Sequence, residues 1–309
     1  MPDQPILRLG TRRSPLAMAQ AYETRTRLCA AHGWDESAVE LVPVVASGDK
    51  VQDRPLAEIG GKALWTRELD HWLIEGRIDA AVHSMKDVET IRPDALAIAA
   101  ILPRADKADR LLGAGSIADI PTGARVGTSA PRRAAQLLHL RPDLTVVGIR
   151  GNVATRMAKL EAGEADATFL AAAGLDRLGE DAVGARLDPQ EWLPAPAQAA
   201  IGIESRSDDT RVRDLLSAID HAQSHAEIAA ERRLLEGLGG SCSSPIAALS
   251  HTRGGKFTLS AAIFSPDGNV RIADEIEFAA DDGKAPLELA RRLLGQAPKE
   301  VTRHFGERP

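Results

Sequence analysis

Apolar runs of strand length alternate with segments of helical periodicity, as in layered α/β proteins. The predicted strands at the start of the chain cover residues 6–9, 41–45 and 80–83. A helix is predicted over 15–31, because Ser14 suits an N-cap and Pro15 suits the first helical position. A second helix is predicted over about 62–75, so this part of the sequence predicts one α/β lobe.

A similar order of elements recurs further along the chain. Residues 76–80 read Gly-Arg-Ile-Asp-Ala and lead from a helix into a strand, and residues 163–167 read Gly-Glu-Ala-Asp-Ala and do the same. Strands are also predicted near 124–127 and 145–149, with helices after Pro131 and Asn152. A strand over 200–204 is predicted to return to the first lobe. Two lobes joined twice predict a hinged cleft, as in bilobal binding proteins.

A third region begins near residue 221 with a helix. It continues with strand-length segments near 246–250, 257–264 and 270–278, which predict an antiparallel meander, and it ends in a helix. The predicted domains are therefore 1–102 with 198–220 as domain 1, 103–197 as domain 2, and 221–309 as domain 3.

Composition narrows the functional classes. Aromatic residues are only 3% of the 309, so aliphatic side chains must build the cores, and the net charge of −6 argues against nucleic acid as a partner. No apolar run has the length of a membrane span, and residues 1–5 do not begin a signal peptide. Two cysteines do not form a disulfide framework, so a cytoplasmic protein is expected.

Cys242 lies in a glycine- and serine-rich segment, residues 239–245. Such a thiol is approachable, which suits a reactive or modified cysteine, but a harmless free cysteine is about equally compatible with this segment alone. Cys29 lies in the predicted helix 15–31 and is interpreted as a packing residue. No second cysteine has metal-ligand spacing, so no metal site is predicted.

Charged residues also follow predicted strands. Lys86 and Asp87 come directly after the strand 80–83, at the strand end where open α/β sheets bind ligands. They could bind an anion and transfer a proton, although an exposed polar turn is the commoner meaning of such a segment. Arginines lie at three strand-to-helix turns, where helix N-termini attract anions: these are Arg12, Arg132 with Arg133, and Arg150 with Arg156. This distribution predicts a polyanionic ligand, to which Lys62 would add a charge.

Eight segments in this order resemble the porphobilinogen deaminase family over nearly the whole chain. The segments are 7–17, 60–62, 81–87, 126–129 with 132–133, 150–153 with 155–156, 173–175 with 177–179, 202–204, and Cys242 with 245–246. The His-Ser-Met-Lys-Asp sequence that begins at His83 and the segment around Cys242 are specific when they occur together.

The resemblance implies an α/β protein of two periplasmic-binding-protein-like lobes with a hinged cleft and a smaller α+β C-terminal domain. It implies a dipyrromethane cofactor covalently attached to Cys242. Four porphobilinogen units would be deaminated and joined head to tail onto this cofactor, and hydroxymethylbilane would be released by hydrolysis. It also suggests a monomer whose partner is the small molecule porphobilinogen.

The resemblance also assigns roles to single residues. Asp87 is the expected catalytic acid–base residue. The cofactor is expected to be held by Cys242, Lys86, Ser129, Arg132, Arg133, Arg150 and Arg156. The substrate is expected to be bound by Arg12, Ser14, Lys62 and Arg177. Each pyrrole carries an acetate and a propionate, and arginine binds such carboxylates in bidentate fashion.

The sequence departs from the family pattern at several positions. Ala197 and Ala199 stand where the family usually has glycines, Ala130 replaces a serine, and Ser241 precedes the cysteine. Lost glycines could alter positions of positive φ. Two alternatives therefore stand beside an active enzyme: a bilobal anion-binding module without catalysis, and a low-activity paralogue that loads cofactor but turns over poorly.

Overall fold

The computed structural model describes residues 5–45, 66–241, 243–253, 256–279 and 282–305. These residues form two compact units. The first unit contains the described residues of 1–53, 61–105 and 199–225, and the second contains those of 54–60, 106–198 and 226–309. Lys62 and Cys242 lie outside the described residues. The division into three domains stays a prediction.

The secondary structure confirms the alternation of strands and helices. The strands are β1 (Leu7–Arg12), β2 (Val39–Val44), β3 (Ala80–Ser84), β4 (Leu96–Ile101), β5 (Asp109–Leu112), β6 (Arg125–Gly127), β7 (Thr145–Val147), β8 (Ala167–Ala171), β9 (Ala185–Arg186), β10 (Ile201–Arg206), β11 (Ile246–Arg253), β12 (Lys256–Phe264) and β13 (Arg271–Phe278). The α-helices are α1 (Pro15–His32), α2 (Arg67–Ile74), α3 (Pro131–Leu140), α4 (Val153–Glu161), α5 (Ala172–Asp176), α6 (Thr210–Ser217), α7 (Ala222–Leu238), α8 (Ala285–Gln296) and α9 (Lys299–Thr302). Short 3₁₀ helices cover Glu36–Ala38 and Met85–Asp87.

The predicted start of the first helix is confirmed. Ser14 is the N-cap of α1, and its side-chain oxygen accepts a hydrogen bond from the backbone N–H of Ala17 at 3.4 Å. Asn152 caps α4 in the same way and accepts from the backbone N–H of Thr155 at 2.9 Å. Both caps supply an acceptor to N–H groups that have no partner inside the helix.

The two units contain five-stranded sheets of matching order. In the first unit the order is β2-β1-β3-β10-β4, and in the second it is β7-β6-β8-β5-β9. In each sheet the second strand is parallel to both of its neighbours, and the fourth is antiparallel to both of its own. The observed fold is therefore mixed α/β, with the same topology built twice.

The repeat seen in the sequence extends to hydrogen bonds. Asp79, just before β3, accepts from the backbone N–H of Arg8 at 2.7 Å. Asp166, just before β8, accepts from the backbone N–H of Arg125 at the same distance, 2.7 Å. Both arginine side chains also contact the carboxylate that their own backbone binds. The predicted similarity of the two segments is thus confirmed in detail.

The remaining sheet, β11-β12-β13, is the predicted antiparallel meander. It packs against α3 within the second unit, where Ala135 shares a buried apolar cluster with Leu249 and Phe264. Gly268, in the turn between β12 and β13, has a φ of 75°, and a Cβ there would lie 2.6 Å from the carbonyl oxygen of Ala135. Only glycine therefore suits this turn without displacing the backbone of α3.

Strands β4, β5 and the two-residue β9 were not among the predicted strands. The sequence of β4 is Leu-Ala-Ile-Ala-Ala-Ile, which is equally compatible with a buried helix segment. β5 begins with Asp109 and Arg110, so charged residues interrupt its apolar pattern.

The segment that connects the second unit to β10 contains two residues in the left-handed region. Ala197 has a φ of 60° and Ala199 a φ of 69°, and both are buried. These are the positions at which the family pattern leads one to expect glycine. The structure confirms that they have positive φ, a conformation that costs a non-glycine residue roughly 1–2 kcal/mol.

This strain predicts different effects of a glycine substitution at two neighbouring alanines. Ala199→Gly relieves the left-handed strain, whereas Ala200→Gly removes an equally buried methyl group without relieving any. Both variants increase the freedom of the unfolded chain. We expect Ala199→Gly to be more stable than Ala200→Gly by about 1–2 kcal/mol in urea unfolding. Equal stability of the two variants would show that the φ of Ala199 carries no strain.

Candidate active site

A pocket in the first unit lies at the C-terminal ends of β1 and β3. Arg12 ends β1 and Ser14 caps α1, so both reach the pocket from the first strand-to-helix turn. Asp87 reaches it from the 3₁₀ helix that follows β3. Three of the residues predicted from sequence are thus brought together. The pocket occupies the sheet edge at which open α/β folds bind ligands.

The turn that carries Asp87 is placed by buried neighbours. The backbone N–H of Met85 donates to the carbonyl of Ala200 at 3.0 Å, and the Met85 side chain is buried. A Cβ on Gly202 would lie 2.1 Å from the sulfur of Met85, so this strand position must be glycine for the turn to pack. Asp87 is half-buried between the buried residues Met85 and Val88. Lys86, on the same turn, is also half-buried.

Gln20 and Ser84 are pocket residues that the sequence analysis did not single out. The Gln20 amide nitrogen donates to the Ser84 hydroxyl at 2.8 Å, and its amide oxygen lies 3.2 Å from the same hydroxyl. Gln20 is, with Thr24, a buried polar residue among the mostly apolar buried positions of α1. That polar interruption is the signal in the sequence that would have identified it.

Buried charges lie beside this pocket. His83, which lines it, has its Nε2 atom 3.1 Å from Oε2 of the buried Glu204. Burial would raise the pKa of Glu204, but His83 and Arg92 outweigh this effect and lower it to about 2. Asp70, His83 and Glu204 offer ligand atoms within 4.8 Å of one another. The guanidinium of Arg92 lies among them, however, and already supplies the positive charge.

Arg132 and Arg133 have a different setting, inside the second unit. Both are 4% exposed, and both bind the fully buried Asp109, with Nη2 atoms 2.7 Å from its two carboxylate oxygens. Their other contacts are with the carbonyl oxygens of Leu193 and Phe169. Within the described residues the Nε atom of Arg132 is buried and has no hydrogen-bond partner. No pattern in the sequence indicated that Asp109 would pair with both arginines.

The side chains of Asp109 and its partners form one network. Burial would raise the pKa of Asp109, but the charges of Arg132 and Arg133 hold it well below its usual value. Asp109 also accepts from Trp192 Nε1 and from the Gln198 amide, each at 2.9 Å. The carboxylate therefore joins β5 to α3 and to the connecting segment that contains Gln198.

The other predicted ligands of the second unit lie at turns and helix ends. The Ser129 hydroxyl donates to the carbonyl of Ile149 at 2.9 Å, and Arg156 Nε donates to the carbonyl of Gly151 at 2.9 Å. Arg150 lies between β7 and α4, and Arg177 is the C-cap of α5. All four side chains are half-buried.

The two cysteines differ in what the structure describes. Cys29 lies in α1 against the core of the first unit, and burial raises the pKa of its thiol. Its interpretation as a packing residue is confirmed. Cys242 and Lys62 fall outside the described residues, so their predicted roles stay predictions.

An arginine and a carboxylate share one pocket at the C-terminal edge of a mixed α/β sheet, which suits an α/β protein that binds an anionic ligand. Comparison with known protein families identifies the family to which the chain belongs. Residues 7–214 match the dipyrromethane cofactor binding domain of porphobilinogen deaminase, and residues 225–295 match its C-terminal domain. The chain belongs to the porphobilinogen deaminase family. It is a transferase, a hydroxymethylbilane synthase that releases ammonia.

Curated relatives agree over almost the full length. A porphobilinogen deaminase from Sphingopyxis alaskensis is 54% identical over 98% of this chain and 98% of its own. A porphobilinogen deaminase from Paracoccus denitrificans is 50% identical over 97% of each chain. The family resemblance drawn from the sequence motifs is confirmed by both.

Solved structures of bilobal proteins are distant neighbours. The periplasmic VFT2 domain of Bordetella pertussis BvgS is 17% identical, with 73% of this chain and 91% of that chain covered and a TM-score of 0.40. A periplasmic binding protein of Salmonella typhimurium is 12% identical, with 69% and 90% covered and a TM-score of 0.38. Among the described helices, none combines the length and the apolar character that crossing a bilayer requires.

The buried charge network predicts a large effect for one substitution. Asp109→Asn leaves Arg132 and Arg133 buried without a carboxylate, so the free energy of unfolding should fall by about 3–5 kcal/mol at neutral pH. Because the pKa of Asp109 is lowered, its contribution is present above its ordinary pKa of 3.8 and is lost as the pH falls below that value. The stability difference from wild type, measured by urea unfolding, should therefore shrink in acid.

Asp143→Asn is the matched control, because Asp143 pairs with Arg141 at the surface. We expect it to change stability little. If the Asp109 variant were as stable as this control, Asp109 would not hold the two arginines in place.

Proposed function

We propose that Asp87 is the catalytic acid–base residue of this hydroxymethylbilane synthase, and that Arg12 and Ser14 bind a carboxylate of porphobilinogen beside it. The observation that carries the proposal is their common pocket at the ends of β1 and β3. A substrate held by its carboxylate at the start of α1 brings its pyrrole nitrogen within reach of the Asp87 side chain. Lys62 and Arg177 are proposed as further substrate ligands.

The donors and acceptors of the chain fit a dipyrromethane. Its carboxylates need hydrogen-bond donors, preferably cationic ones. The second unit offers Ser129, Arg150 and Arg156 at its turns, together with the buried Nε atom of Arg132, which has no hydrogen-bond partner among the described residues. Its pyrrole N–H groups need an acceptor, and Asp87 supplies a carboxylate. We propose that these residues, with Lys86 and Arg133, hold the cofactor and that Cys242 attaches it. When bound, the dipyrromethane supplies the nucleophilic pyrrole carbon on which the product is built.

The contribution of Arg133 is proposed to be indirect. Its Nε, Nη1 and Nη2 atoms all donate to Asp109 or to the carbonyl of Phe169. It fixes the carboxylate to which Arg132 also binds, and so fixes the position of Arg132. The positive charge of this pair is partly neutralised by Asp109, which leaves one net charge for an anionic ligand.

Asp87 has two proton transfers to perform. As an acid it donates a proton to the amino nitrogen that leaves porphobilinogen, and as a carboxylate it stabilises the positive charge left on the pyrrole of that substrate. It then accepts a proton as the new carbon–carbon bond is completed. Arg12 and Ser14 hold the substrate carboxylate during both transfers. The reacting groups therefore stay in a fixed geometry and do not have to meet by diffusion.

The predictions of a monomer and of a cytoplasmic location are retained as part of the proposal. They rest on the family resemblance and on a chain that has only two cysteines.

Attachment of the cofactor is tested by the intact mass of the denatured protein. We expect a covalent increment of two linked pyrroles that maps to Cys242, and we expect Cys242→Ser to lack it. Cys29→Ser is the control and should keep the increment, because Cys29 is buried in α1. An increment that persists in the Cys242 variant would overturn the assignment. A wild-type chain without increment should gain it on incubation with porphobilinogen.

The role of Asp87 is tested by Asp87→Asn. Asparagine keeps the size of the side chain but cannot transfer the proton, so kcat should fall by about 10²–10⁴-fold while the cofactor stays attached. Asp94→Asn, at an exposed acidic residue a few positions further on, should retain normal turnover. The measurement is porphobilinogen consumption per cofactor-loaded molecule. Near-normal turnover of the Asp87 variant would show that Asp87 is not the acid–base residue.

A further inference from the structure

Arg92 binds several carboxylates at once beside the active-site pocket. Its Nε and Nη2 atoms donate to the two carboxylate oxygens of Glu204 at 2.8 and 2.9 Å. Nη2 also donates to Asp70 at 2.5 Å, and Nη1 donates to Glu89 at 2.7 Å. The side chain of Arg92 is only 9% exposed. A planar guanidinium can satisfy such a set of acceptors, whereas an ammonium group cannot match its fixed geometry.

These contacts join three parts of the first unit. Glu204 belongs to β10, Asp70 to α2, and Glu89 to the segment that leads away from Asp87. Arg92 lies five positions beyond Asp87, so it fixes the far end of this segment to the sheet and to α2. The near end is fixed by β3. The catalytic turn is therefore held on both sides.

The same contacts reach residues that line the pocket. The Thr66 hydroxyl lies 2.9 Å from Oε2 of Glu89 and 3.0 Å from Oδ2 of Asp70, and Arg92 Nη1 lies 3.4 Å from it. His83 contacts Glu204. Thr66 and His83 both line the pocket and are both buried, so the carboxylates that Arg92 holds also orient the pocket wall.

Arg92 also determines the charge beside the pocket. Glu204, Asp70 and Glu89 bring three carboxylates, and Arg92 compensates one of them. Burial would lower the pKa of Arg92, but hydrogen bonds and charges from Glu204 and Asp70 raise it above the usual value, so the group stays cationic. Loss of this charge would leave more negative charge next to a pocket that binds a carboxylate, and anion binding there would weaken.

We propose that Arg92 is a positioning residue for the reaction, which holds the Asp87 turn and the Thr66–His83 wall in place without touching the substrate. The inference rests on the proposed role of the pocket. The side chain of Arg92 makes two contributions, one through its geometry and one through its charge. The forked geometry positions the catalytic turn and so acts on kcat, while the charge supports anion binding and so acts on KM.

Two substitutions distinguish these contributions. Arg92→Lys keeps the charge but loses the fork, so kcat should fall by about 10–100-fold, since displacements near 1 Å cost that much, while KM stays within about threefold. Arg92→Met loses both, so KM should rise as well. Arg77→Lys is the control, because Arg77 pairs with Glu75 at the surface of the same unit and should keep normal kinetics.

The measurement uses the full chain, and kcat and KM for porphobilinogen are determined well below each variant's melting temperature. Each kcat is expressed per cofactor-loaded molecule, with the loaded fraction taken from the intact mass. A residue of purely structural importance would lower the melting temperature or the loaded fraction and leave kcat per loaded molecule unchanged. That outcome overturns the proposal, as does a change confined to KM in Arg92→Lys.

A milder substitution decides the matter if the Arg92 variants do not fold. Glu89 is more exposed than the other two carboxylates, so Glu89→Gln should be tolerated, and it weakens the contacts to both Arg92 and Thr66. Its kcat should fall severalfold with KM unchanged, and an unaltered kcat overturns the proposal. Failure of the pocket assignment itself would show separately, as normal turnover of Asp87→Asn.

Discussion

Each compact unit is organised around one fully buried carboxylate that arginine neutralises. A charge in the interior is tolerated only when it is paired and hydrogen-bonded, so the elements that supply its partners must come together. In the second unit Asp109 draws α3 and the connecting segment towards β5. In the first unit Glu204 draws the segment after Asp87 towards β10. The wall of the first unit's pocket and the Arg132–Arg133 pair of the second unit are built on these two charges.

This arrangement explains why arginines identified by one motif have different surroundings. Arg12 lines an open pocket, whereas Arg132 and Arg133 are buried against Asp109. Arg12 ends a strand just before a helix, and Arg132 and Arg133 lie in the first turn of a helix, so the local sequence predicts an anion partner for each. For Arg132 and Arg133 that partner is, at least in part, an aspartate of the chain itself, which limits how much of their charge remains for a bound ligand.

Features set by neighbouring residues were predictable, and features set by distant pairs were not. The cap at Ser14, the meander β11-β12-β13 and the similarity of the two α/β lobes follow from local patterns and were confirmed. The glycine positions of the family pointed to positive φ at Ala197 and Ala199, and the structure has it. The pairing of Arg92 with Glu204 spans 112 positions, and no local pattern marks it. Asp109 lies 23 and 24 positions before Arg132 and Arg133, again beyond the reach of a local pattern, and its charge interrupts the apolar pattern of a strand.

The place of β10 has a consequence for how the chain is made. This strand lies between β3 and β4, yet it follows them by about a hundred residues in the chain. During synthesis the first unit emerges from the ribosome without this strand, so one edge of β3 is unpaired and β4 has no partner in the sheet. Arg92 emerges without Glu204 in the same interval. The sheet of the first unit can be completed only after residues 106–198, which belong to the second unit, have been translated. Folding of the first unit therefore has to wait for synthesis of this part of the second unit.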